Sequence, residues 1–133
     1  MCQHINQSSG LIIITDYGYY DSPGYFTLQS FFNHQPSNLL DNVGRQDITS
    51  LVDFKKLIQI AKNSNLNINS FCSQKEFLLS NGILERKNKI MKTCTSKQKS
   101  IVEDGYNRLI DEKQMGSVFK FLILSSKDLY EKK

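Results

Sequence analysis

Apolar residues recur along this chain with two periods, and the two periods mark out its elements. Leu11, Ile12, Ile13 and Ile14, followed by Thr15, form a short β-rich run with no polar alternation. Such a run predicts a strand buried on both faces, as in the middle of a parallel sheet. It exits through Asp16, Tyr17 and Gly18, a polar and turn-capable sequence. From Tyr19 to Ser50 neither period holds: Pro23-Gly24, Gly44 and many Asn, Asp and Ser residues predict a long irregular segment. A loop of that length is usually functional or disordered. Tyr25, Phe26, Phe31 and Phe32 argue against disorder here.

The helical period begins after Asp53. Phe54, Leu57, Ile58 and Ala61 fall at i, i+3, i+4 and i+7, with Asp53 placed as N-cap. Leu66 to Phe71 alternates apolar and polar residues and predicts a strand. Ser73 and Glu76 have capping-box spacing and open a helix that stops at Asn81-Gly82. Ile83, Lys87, Ile90 and Met91 continue at helical spacing to about Lys92. Thr95 and Gln98 form a second capping box, ahead of Ile101, Val102, Tyr106, Leu109 and Ile110. Val118 to Leu124 reads as a strong strand, and the charged tail to Lys133 is expected to fray. The order is strand, long segment, helix, strand, three helices, strand, which is an α/β pattern. Three strands make a thin sheet and the first has the character of a central one, so part of the domain is expected to lie outside this sequence.

Composition adds limits. The chain has 133 residues, about one domain, with 39% hydrophobic and 23% charged residues, which excludes wholesale disorder. Its charge is uneven. Up to Phe54 the one basic residue, Arg45, faces five Asp; from Lys55 onward there are 16 Lys/Arg and 8 Asp/Glu. The basic residues, among them Lys87, Lys89, Lys92, Lys97 and Lys99, are dispersed over helical faces rather than arrayed in a stripe. That dispersion is expected of a solvated surface, not of a specific nucleic-acid site. Cys2, Cys72 and Cys94 form no CxxC, and neither His4 nor His34 has metal-ligand spacing, so free thiols in a reducing compartment and no metal are expected. Neither a signal peptide nor a membrane span is legible.

No GxGxxG, P-loop, GxSxG, HExxH or Cys/His nucleophile pair is present, and no catalytic residue can be named. The candidates are positional. Ligands of open α/β sheets bind beyond the carboxyl ends of strands, where Asp16 and Tyr17 stand. Asp16 could hold a cationic substrate or cap a turn. His34, after an aromatic cluster, could be a structural donor or a reacting group. Asp47 and Thr49 could face a pocket or form an Asx/Ser-Thr turn ahead of Asp53.

Five blocks, in order, resemble the C-terminal half of the MidA family of class I S-adenosylmethionine (SAM)-dependent methyltransferases. They are Gly10 to Gly18; Thr27-Leu28-Gln29 with His34 close behind; Asp47 to Phe54; Gln74 to Ile83; and Met115 to Leu122. The resemblance covers about residues 8 to 126. It implies a Rossmann-like α/β fold in which 11–15, 66–71 and 118–124 are the fifth, sixth and seventh strands, the seventh antiparallel between the other two. It implies that residues 1–133 are the C-terminal part of the methyltransferase domain, that SAM is the cofactor, and that the half which binds it is absent, leaving no cofactor-binding residue here. The family includes the mitochondrial enzyme that methylates an arginine of a respiratory complex I subunit, so a protein substrate, such as a complex I subunit, is implied. Asp16, Tyr17, Thr27, Gln29, His34, Asp47 and Thr49 become the candidates for holding it. Leu51 stands where relatives tend to carry a polar residue. Bacterial cytoplasm is the implied location, or the mitochondrial matrix in a eukaryote. The competing reading is a non-enzymatic interaction module, or a split-gene subunit that pairs with a separate N-terminal half; either way the chain alone is expected to be inactive.

Overall fold

Along the chain the elements are α1 (Cys2–Ser8), β1 (Leu11–Tyr19), β2 (Gln29–Phe32), β3 (Gln35–Ser37), β4 (Asp47–Thr49), β5 (Val52–Asp53), α2 (Phe54–Asn63), β6 (Asn67–Ser73), α3 (Gln74–Ser80), α4 (Ile83–Met91), α5 (Ser96–Ile110) and β7 (Phe119–Ser125), followed by a 3-10 turn at Lys127–Leu129. This computed structural model describes residues 1–129. The end of the charged tail, expected to fray, lies outside the described residues.

The main sheet has the order β5-β1-β7-β6. β7 runs antiparallel to β1 and to β6, between them, as the resemblance implied. The register matches Ile12 with Leu124 and Ile14 with Leu122, and it matches Ile68 and Phe71 with the same two leucines. These side chains therefore share one face, since Cα partners point to the same side of a sheet. α2 covers that face with Phe54, Ile58 and Ala61, and Leu66 completes the buried cluster. Asp53 caps α2 by accepting the Lys56 N–H at 2.9 Å. α1 adds Cys2 and Ile5 to the edge of the core and is tied down by Asn6 Nδ2 donating to the Ser64 carbonyl at 2.6 Å.

The opposite face is covered unevenly. Phe77 of α3 stacks on Phe121, with centroids 4.1 Å apart, and α3, α4 and α5 form a helical unit beyond it. Both capping boxes form as their spacing indicates, Ser73 with Glu76 and Thr95 with Gln98. Farther along this face, Leu11 and Ile13 are 45% and 53% exposed. The expectation that the first strand is buried on both faces is corrected here. Among the described residues β1 has β7 along one edge but only Val52 and Asp53, opposite Gly18 and Tyr19, along the other.

β1 also runs to Tyr19, past the turn expected at Asp16–Gly18, because β7 and then β5 continue its ladder. Gly18 fits this passage since a Cβ there would collide with the Val52 carbonyl and the Phe54 ring. The segment from Tyr19 to Ser50, expected to be irregular, contains a second sheet of order β3-β2-β4.

Candidate functional site

The small sheet is built around a two-residue turn. Phe32 pairs with Gln35, and the residues between them, Asn33 and His34, both have positive φ, 49° and 62°. Two consecutive left-handed residues make the turn type that matches strand twist in short hairpins. Inside the fold, Ser30 is buried and donates its hydroxyl to the Ser37 carbonyl at 2.7 Å. The Ser37 hydroxyl reaches Gln46 Oε1 at 2.8 Å, and Gln46 Nε2 reaches the Leu39 carbonyl at 2.5 Å. This chain of bonds ties the hairpin to the loop that delivers β4.

Strand alternation then sorts the side chains. Gln29 lies opposite Thr49, and Phe31 opposite Asp47, so these four share one face of the β2–β4 pair. That face looks onto the carboxyl end of β1. Together with Tyr17, His34, Leu51 and Val118, the four line a cavity of about 540 Å³. Tyr17 is held against Phe119, ring centroids 4.0 Å apart, and Phe31 supplies a second aromatic wall. Among the described residues Asp47 is the one acidic lining residue, and no Lys or Arg joins it. Among the described residues, the side chains of Gln29, His34, Asp47 and Thr49 make no hydrogen bond or ion pair with the protein. Unspent polar groups converging on an aromatic-walled cavity are what a ligand site requires. One carboxylate and two ring faces suit a cation.

Of the seven residues singled out from sequence, the structure brings five together here: Tyr17, Gln29, His34, Asp47 and Thr49. Thr27 lines an adjoining cavity of about 250 Å³ that shares Gln29, Leu51 and Val118 with the first. Asp16 is elsewhere. It pairs across the ladder with Lys120, on the face opposite Tyr17, and its carboxylate accepts the Tyr17 N–H at 2.7 Å. Sequence reasoning missed Phe31 and Val118 as lining residues. Phe31 was findable from its i+2 spacing to Gln29; nothing in the sequence marks Val118.

A second hollow, of about 550 Å³, opens between α3, α4 and α5. Its walls are largely apolar, including Leu78, Ile83, Val102 and Leu109, and Lys87 at its rim is spent on Glu103 at 3.0 Å and on the Tyr106 ring at 4.2 Å. Of its other polar lining side chains, Asn81 is spent on the Phe77 carbonyl, while Arg86 and the Tyr106 hydroxyl have no protein partner among the described residues. Among the described residues no cluster of three His, Cys, Asp or Glu could hold a metal ion, and no helix is long and apolar enough to cross a membrane.

Residues 1–72 match a family described as "putative S-adenosyl-L-methionine-dependent methyltransferase". The chain is 31% identical over 126 residues to the mitochondrial protein arginine methyltransferase NDUFAF7 homologue of Caenorhabditis elegans, covering 94% of this chain and 29% of that protein. It is 30% identical to the Mus musculus protein arginine methyltransferase of the same name, over 93% of this chain and 28% of the relative. The chain thus spans a little under a third of the length of these relatives. Among solved structures, one from Burkholderia thailandensis superposes with a TM-score of 0.82 at 21% identity, over 98% of this chain and 39% of that one. Another from the same organism, described as a "likely methyl transferase" bound to S-adenosyl-homocysteine, gives a TM-score of 0.77 at 24% identity, over 87% of this chain and 32% of that one. These likenesses establish the fold as part of a larger α/β architecture.

Proposed function

The chain belongs to the family of S-adenosyl-L-methionine-dependent methyltransferases, and from that premise we propose that it supplies the acceptor-binding side of such an enzyme. The observation that carries this reading is the convergence of Gln29, His34, Asp47 and Thr49, all without protein partners among the described residues, on one cavity beyond the carboxyl end of β1. The acceptor we assign to it is a cationic protein side chain, arginine by analogy with the mitochondrial relatives. Asp47 would balance its charge, Tyr17 and Phe31 would flank its plane, and Gln29 and Thr49 would orient it. A complex I subunit as the substrate protein, and the bacterial cytoplasm or the mitochondrial matrix as the location, belong to the same proposal.

The residues of this chain do not fit the cofactor. SAM carries a ribose diol and an amino-acid group, which call for a glycine-lined backbone cradle and an acidic ribose contact. Gly18 and Gly116 are packed against protein atoms, Gly24 and Gly44 stand in open loops, and Gly82, which does precede a helix, is a lone glycine after Asn81 rather than part of a glycine-rich loop. No step of methyl transfer is therefore assigned to these residues. The cofactor would be held by the remaining two thirds of a full-length family member. The second reading, a subunit that pairs with a separate N-terminal half or another protein, is favoured by the uncovered edge of β1 and the exposure of Leu11 and Ile13.

Calorimetry on the chain tests the proposal. Titration with a blocked arginine (N-acetyl-arginine methylamide) should give a saturable heat, blocked citrulline should give none, and SAM should give none. Micromolar SAM binding would overturn this division of labour.

A further inference from the structure

His34 occupies a position that its backbone disfavours. It is the second residue of a two-residue turn with φ 62°, where glycine is the residue of choice and Asn33 before it is already well suited. A side chain in the left-handed region carries a standing cost, and such residues persist where the surroundings or a ligand make use of them. Nothing in the protein repays this one: among the described residues the imidazole has no hydrogen-bond or ion-pair partner, yet it lines the 540 Å³ cavity. The register places the turn at the same end of the small sheet as Asp47, which pairs with Phe31, while Gln29 and Thr49 pair at the end nearer β5.

We propose that His34 is a ligand-contact residue, kept in a strained turn because its imidazole, together with Asp47, recognises the nitrogen-bearing end of a cationic acceptor side chain. This rests on the acceptor-site reading above and adds to it a named contact and a pH dependence. The titratable groups lining the cavity with His34 are Asp47 and Tyr17. A neutral imidazole accepts a hydrogen bond from a guanidinium; a protonated one repels it. Protonation of a contacting imidazole should therefore weaken binding on acidification.

The test uses the whole chain, with blocked arginine followed by amide NMR at Tyr17 and Thr49. The wild type should bind, with affinity falling at least about tenfold between pH 8 and pH 5. His34→Gly should raise Tm by about 2–5 °C by relieving the turn, yet lose at least about tenfold in affinity at pH 7.5. His34→Asn, which tolerates the left-handed turn and can still accept a hydrogen bond, should bind more tightly than His34→Gly and show no loss between pH 8 and pH 5. If His34→Gly lowers Tm, or binds as the wild type does, the assignment of His34 is wrong while the cavity reading stands. If blocked arginine moves neither Tyr17 nor Thr49 in the wild type, the acceptor-site reading fails and takes this one with it.

Discussion

Asp47 and Asp53 lie six residues apart and show how two carboxylates can have different work. Asp53 is spent on the Lys56 N–H at the start of α2, whereas Asp47 faces the cavity with no protein partner among the described residues. Asp47→Asn should weaken blocked-arginine binding by roughly ten- to a hundredfold, the worth of about 1.5–3 kcal/mol for a hydrogen bond to a charged group. Its Tm should not move. Asp53→Ala should do the reverse, lowering stability by about 1 kcal/mol as a lost N-cap and sparing affinity. Thermal melts and titrations of the two variants side by side decide it, and matching behaviour would mean that folding residues had been taken for a site. The same strand logic explains Asp16. Neighbours in a strand face opposite ways, so Asp16 and Tyr17 cannot both look into one cavity, and Tyr17 is the one that does. That could be read from sequence only by knowing that β1 continues to Tyr19, and the continuation depends on the distant partners Phe119 and Val52.

At the scale of elements, what could be read in advance was what is encoded locally. Capping boxes depend on residues three apart, and both formed. The amphipathic face of α2 needs only its own ten residues. The hairpin sheet was illegible for the converse reason. β2, β3 and β4 are four, three and three residues long, too short for a period to declare itself. Gln29 also shares the cavity face with the aromatic Phe31, and the polar Ser30 on the other face is buried, so Gln29-Ser30-Phe31-Phe32 shows no clean alternation. Local encoding also makes a testable element of the α3 cap. The Ser73 backbone N–H, and then its hydroxyl, donate to Glu76 and hold its carboxyl below the ordinary carboxylate range. A carboxyl so lowered stabilises the fold above its unfolded value, and that stabilisation is lost as pH falls through the lowered, folded one. Glu76 is exposed, so solvent screens the effect and it should be local. Hydrogen exchange of the Phe77 and Leu78 amides should therefore lose protection on acidification through the carboxylate range. Glu76→Gln, which recreates the neutral box of Thr95 and Gln98, should keep protection constant across that range; an unchanged acid response in the variant would place its origin elsewhere.

At the scale of the molecule, the hydrophobic pattern carried more information than the chain uses. Leu11 to Ile14 are apolar without alternation, the pattern of a strand covered on both faces, yet Ile12 is buried while Leu11 and Ile13 are about half exposed. The antiparallel place of β7 was implied by the family resemblance alone, while the α/β order was legible because β1, β6 and β7 each announce themselves. Which face of β1 would be covered was not, because covering is a property of neighbours, and the solved relatives that share this fold are more than twice as long. An open strand edge flanked by exposed apolar side chains favours pairing with other chains. The isolated chain should therefore self-associate as its concentration rises, through β1 and not through the well-buried Leu122 side of the sheet. Ile13→Lys places a charge at the centre of that exposed stretch, where a lysine can reach water, so its cost in stability should stay below about 1 kcal/mol. Sedimentation velocity should show the variant monomeric at concentrations where the wild type is not, with an unchanged melting profile. Were the variant instead to lose several degrees of Tm with its association untouched, Ile13 would be a packed core residue, and the contacts between chains would have to be sought on another surface.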